Sequence, residues 1–252
     1  MLNRLNTFRV NDTFIEEQFS AEPVVIGVWF LLLTILTVFL WIVPIAGSVV
    51  CLLMAVYALR GTRQYIEMLA LLAFLLILGK GDISLGRWIV LLAAALRMLY
   101  ETFRYNQPMP RIINYLLLFS IAVFVLSFIV SPFPTISIFK LISFTIGVGT
   151  VLIGFYRTRH LSDYWFSCLF TLGIFILFAS LPLYGSGLGY LRNGIGFQGI
   201  LTHPQTFGPV LAPMTALFAG LYLFRNHRSY VIFSGIFLGI MGMLVSQART
   251  SI

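Results

Sequence analysis

Residues 24–59 read VVIGVWFLLLTILTVFLWIVPIAGSVVCLLMAVYAL and contain no charged side chain. A helix that crosses lipid needs about 20 residues, so this run is too long for one helix and fits two. Pro44, Ala46, Gly47 and Ser48 supply the break between them. In hydrocarbon, backbone groups must bond within their own segment or around a closed barrel. Barrel strands are segments of about 10 residues with alternating polarity, whereas here Leu, Phe and Ile follow one another without alternation. The run is therefore read as a pair of helices.

The rest of the chain repeats the pattern. It is 252 residues long, 60% hydrophobic and only 10% charged, against roughly 25% charged in a soluble domain. A second helical pair is expected within 64–104, broken at GKGDISLG (79–86), with a re-entrant hairpin as the alternative because its two arms look short. Further helices are expected at 112–130, 136–156, 162–181, 207–224 and 230–245. The expected fold is all-α: a polytopic transmembrane bundle of about nine helices, forming a single membrane domain over 1–252. Residues 1–23 are polar and include Glu16, Glu17 and Glu22, unlike a cleavable signal peptide, and are read as a cytoplasmic tail.

Charge sets the expected orientation. With the N-terminus cytoplasmic, the inner loops hold Arg60 and Arg63, Arg104 and Arg111, Arg157 and Arg159, and Arg225 and Arg228. The outer breaks at 44–48 and 131–135 hold no basic residue, which is the positive-inside pattern. The net charge of +8 is thus explained by topology rather than by nucleic acid. Lys80, Arg87, Arg192 and Arg249 fall on the outer side, against the pattern. Arg97 and Glu101, like Arg63 and Glu67, are spaced to pair one helical turn apart. Asp163 is expected to balance Arg157, Arg159 and His160, and Lys140 to snorkel outward. Trp29, Trp41, Trp88 and Trp165 fall near run ends and read as an interfacial belt. Cys51 and Cys168 lie in apolar runs and read as buried thiols, and no metal site is expected.

One stretch resists this apolar reading: LRNGIGFQGILTHPQTFG, residues 191–208, within a glycine-rich loop expected over 182–206 on the periplasmic side. Six glycines lie between Gly185 and Gly199. Glycine permits close backbone approach and φ > 0, so such a loop can turn several N–H groups toward one anion. Arg192 adds a guanidinium fork suited to phosphate oxygens. Thr206 is expected to cap the next helix, and Asn193, Gln198, His203 and Gln205 add hydrogen-bonding groups. Arg249, in SQART (246–250), follows a helix expected to run outward and so reaches the same face. The expected site is an anionic-lipid clamp made by Arg192 and Arg249, with Gly194, His203 and Gln205 beside them. The competing readings are an exposed glycine-rich loop with one arginine, and an interfacial arginine at the chain end.

The stretch RNGIGFQGILTHPQTFGPVLAPMTALFAGLYL (192–223), followed after one helix by SQART, resembles the O-antigen ligase and polymerase superfamily. Arg192, Gly194, Gly199, His203, Pro204 and Gly208 match its Arg, Gly and His-Pro-Asn element, and Arg249 matches its Ser-Arg element. Gln205 and Ala248 depart from the usual Asn and Ser. The resemblance covers the last quarter of the chain. It implies a glycosyltransferase of the bacterial inner membrane that uses undecaprenyl-pyrophosphate-linked glycans at the periplasmic face, with membrane lipid around it and no cofactor, metal or nucleic acid. Arg192 and Arg249 would then bind the pyrophosphate. The family's large periplasmic loop and its catalytic histidine lie beyond the Ser-Arg element, so the resemblance implies a C-terminally truncated member and assigns no catalytic residue here. A transporter or flippase of an anionic or lipid-linked substrate is the alternative, as is a non-catalytic membrane scaffold.

Overall fold

The computed structural model describes residues 23–79, 83–105, 109–190, 196–224 and 230–246. Among them are nine α-helices and no strand. They are α1 (Pro23–Ile42), α2 (Gly47–Ala58), α3 (Thr62–Leu78), α4 (Gly86–Tyr105), α5 (Ile112–Val130), α6 (Pro134–Arg157), α7 (Ser162–Ser180), α8 (Pro204–Phe224) and α9 (Tyr230–Ser246). Each helix expected from the apolar runs is present, and the break at Pro44 is a 3-10 turn over Pro44–Ala46. Five segments, carrying α1, α5, α6, α7 and α8, are long and apolar enough to cross a membrane. Of the pair expected to have two short arms, α3 has 17 residues and α4 a full 20. The shortest described α-helix is α2, whose 12 residues rise only about 18 Å, against roughly 30 Å of hydrocarbon.

The chain divides into two compact units, Met1–Leu36 with Leu161–Ile252, and Thr37–His160. In the first unit, α8 and α9 pack side by side. Their approach is set by small residues on α9. A Cβ at Gly235 would lie 2.9 Å from Phe218, one at Gly242 would lie 2.8 Å from Leu211, and one at Gly239 would overlap the Thr215 hydroxyl. In lipid, helices associate through such close packing rather than by escaping water. The tryptophans of this unit are not belt residues: Trp29 and Trp165 are buried, and the Trp29 indole N–H donates to the Tyr164 hydroxyl at 3.1 Å.

In the second unit α3 is the core helix, buried along most of its length from Tyr65 to Leu78. Gly154 lets α6 approach it, since a Cβ there would lie 2.7 Å from Ile66 and 2.8 Å from Tyr65. Gly86 does the same for α4 against Cys51 of α2. By contrast α5 buries only Ile113 among its residues. It is apolar all round, as a lipid-facing helix must be, and the Ser120 and Thr145 hydroxyls join it to α6 at 2.8 Å.

The paired charges of this unit gather where α3 begins and α4 and α6 end. Arg63 pairs with Glu67 at 2.7 Å and Arg97 with Glu101 at 2.8 Å, as their spacing predicts. Arg157 is held within its own unit. Its buried guanidinium lies 3.6 Å from Glu101, donates to Thr102 at 2.7 Å and reaches the Met98 carbonyl at 3.3 Å. Thr62 donates its hydroxyl to the same Glu101. Asp163 stands in the first turn of α7, where a negative charge meets the positive end of the helix.

Candidate functional site

Three helix ends of the first unit meet around residues 196–203. α7 ends at Ser180, α9 ends at Ser246 and α8 begins at Pro204. A helix end leaves backbone groups without partners inside the helix, and here the connecting segment supplies some of them. The Phe197 N–H donates to the Val245 carbonyl in the last turn of α9 at 3.2 Å. The Ile200 N–H donates to the Ser180 hydroxyl at the end of α7 at 3.2 Å. Gln198 donates its N–H to Gly189 at 2.8 Å, and Leu201 closes a turn onto Gln198 at 3.0 Å.

Glycine is required at two points of this path. Gly199 has φ +58°, a left-handed conformation that L-residues avoid, and a Cβ there would overlap Ser180 and come within 2.9 Å of Phe207. A Cβ at Gly196 would lie 2.8 Å from the Ser246 carbonyl and 2.9 Å from Pro204. Phe197 anchors the segment. Only 4% exposed, its ring lies 5.6 Å from Tyr184, 5.4 Å from Tyr190 and 5.3 Å from Phe207. Burial, and then the neighbouring Tyr184, push the Tyr190 phenol above its ordinary value, so it remains a neutral hydroxyl at physiological pH.

Residues 196–201 are all buried, which is incompatible with reading this part of the loop as exposed. Gln198 is 6% exposed, and its side-chain oxygen has no hydrogen-bond partner among the described residues. Such a group is costly to leave unsatisfied.

Of the predicted site residues, Arg192, Gly194 and Arg249 lie outside the described residues. His203 and Gln205 are described, and they meet at the start of α8. The helix begins three residues earlier than expected, with Pro204 in its first position, where a missing N–H costs nothing. His203, not Thr206, is the capping residue: its Nδ1 accepts the Gln205 N–H at 3.1 Å. Its carbonyl accepts the Thr206 N–H at 3.0 Å and the Phe207 N–H at 3.2 Å, while the Thr206 hydroxyl donates to it at 2.7 Å. A neutral imidazole whose Nδ1 accepts carries its proton on Nε2. The Gln205 side chain is exposed.

Beside this junction is a cavity of about 290 Å³. Leu177, Tyr184, Phe207, Leu238, Met241 and Val245 line most of it, with Ser180 as a polar point. An apolar chain fits such walls. Ser180 and the tyrosines at 184 and 190 escaped the sequence reading. A serine ending an apolar helix before Leu-Pro is a usable signal, but nothing local to either tyrosine predicts its contact with Phe197.

The helices define a multi-pass membrane protein by length and composition. No family profile, curated protein or solved structure matches the chain.

Proposed function

We propose that this protein is an O-antigen ligase-like or polymerase-like membrane glycosyltransferase, acting at the periplasmic face of a bacterial inner membrane on a glycan carried by undecaprenyl pyrophosphate. The observation that carries the reading is the contact of Gly196 and Phe197 with Val245 and Ser246. Arg192 is four residues before Gly196, and Arg249 three after Ser246. A chain advances at most about 3.6 Å per residue, so both arginines are tethered to the same helix junction.

In this reading the two guanidinium groups hold the diphosphate by charge-assisted hydrogen bonds, and the adjacent apolar cavity takes the first part of the lipid chain. An acceptor hydroxyl attacks the anomeric carbon, the bond from that carbon to the phosphate oxygen breaks, the lipid diphosphate leaves with the electron pair, and the hydroxyl's proton passes to the departing diphosphate or to water. Guanidinium groups aimed at the oxygen where charge develops lower the barrier. His203 serves as the cap of α8 rather than as the base, because its Nδ1 lone pair is held by Gln205. The distribution of arginines between the predicted loops supports the cytoplasmic N-terminus that this geometry needs.

The test is glycan transfer in vesicles supplied with a lipid-pyrophosphate-linked donor and an acceptor. Arg192→Ala and Arg249→Ala should each lower the rate by about 10²-fold or more, while helical content is retained. Unchanged product on gels would overturn the proposal. Movement of the donor across the vesicle without a new glycosidic bond would assign the chain to the transporter or flippase class.

A further inference from the structure

The second unit holds a different cavity, of about 490 Å³, between α3, α4 and α6. Its walls are apolar: Leu72 and Leu76 from α3, Leu91 from α4, and Ile136 and Phe139 from α6. Two cations, Arg87 and Lys140, line it, and among the described residues no carboxylate does. Arg87 lies in the first turn of α4 and stands 5.7 Å from the Trp88 ring, and Trp88 lies 4.9 Å from Phe139. Lys140 lies two turns into α6. Both side chains are exposed, and neither forms an ion pair among the described residues. Ser143 supplies a hydroxyl to the same wall.

Charge and apolar wall together select the occupant. A free inorganic anion has no use for the leucine wall. A neutral lipid has no use for two cations without a counter-ion, and a zwitterionic headgroup offers one positive charge too many. We infer that this groove binds an anionic phospholipid, with its phosphate between Arg87 and Lys140 and one acyl chain along Leu72, Leu76 and Leu91. The inference is independent of the catalytic reading of the first unit. It accounts for Arg87, which falls against the positive-inside pattern, and gives the outward-snorkelling Lys140 an anionic partner.

Trp88 reports on the site. The full chain in nanodiscs would be compared with phosphatidylglycerol or phosphatidylcholine brominated on the acyl chains, at equal mole fraction. Brominated phosphatidylglycerol should quench the part of the fluorescence that Trp88→Phe removes, with an about tenfold preference, the order expected from two cations attracting an anionic headgroup. R87A/K140A should abolish the preference, and R87K/K140R should keep it. Equal quenching of the native chain by both lipids would overturn the inference, whatever the fate of the variants. So would a preference that survives in R87A/K140A, or one that inorganic phosphate competes away.

Discussion

The first unit ties down its polar segment with backbone groups, glycines and short polar side chains, whereas the second unit ties down its helix ends with buried charges. Around 196–203 the partners are the Val245 carbonyl, the Ser180 hydroxyl and the His203 ring. Around Glu101 they are Arg97, Arg157 and Thr62. The first arrangement is held by close steric fit and tolerates no added atoms at Gly196 or Gly199. The second is held by charge balance and depends on all its members. A junction built from paired charges uses its arginines for stability.

The sharpest way to break the comparison is at Glu101. Glu101→Ala leaves the buried Arg157 guanidinium facing Arg97 without a carboxylate between them, and should cost about 3 kcal/mol of stability. Thermal unfolding in detergent measures this, and an unchanged midpoint would show that charge balance does not hold the second unit. Gly199→Ala is the matching test in the first unit. It forces a side chain into a left-handed conformation and into contact with Ser180 and Phe207, for an expected loss of about 2 kcal/mol. Gly185→Ala is its control, since nothing lies within 4 Å of that Cβ.

Gly239→Ala should cost about 1 kcal/mol by pushing α9 away from Thr215. Gly220→Ala, into open space on α8, should be neutral or stabilising. If both changes have equal effect, small-residue packing is not what joins α8 to α9. His203→Ala is expected to have the smallest effect, a loss of about 0.5–1 kcal/mol from the removed cap. A stability loss several times larger would mean that the ring supports more than the start of α8.

Much of this was legible along the chain. Helix number and most helix ends follow from apolar run length and from Pro and Gly breaks, because a backbone in lipid has little choice but to bond within its own segment. The Arg63–Glu67 and Arg97–Glu101 pairs follow from helical spacing. Cys51 and Cys168 are buried and not joined in a disulfide, as their apolar surroundings indicate. The start of α8 was misplaced because Pro and His were read as loop, when Pro suits the first helical position and a His side chain can cap.

By itself the sequence determined that this is an all-helical, membrane-crossing chain and where its helices run, since both depend on local composition and period. Only the tertiary structure decided that residues 196–201 are buried against Ser180 and Val245. Only it decided that Arg157 belongs to Glu101, that α3 is a core helix and that α5 is exposed. Those outcomes depend on contacts between residues far apart in the chain, and helices of nearly uniform apolarity carry no local mark of which face meets protein and which meets lipid.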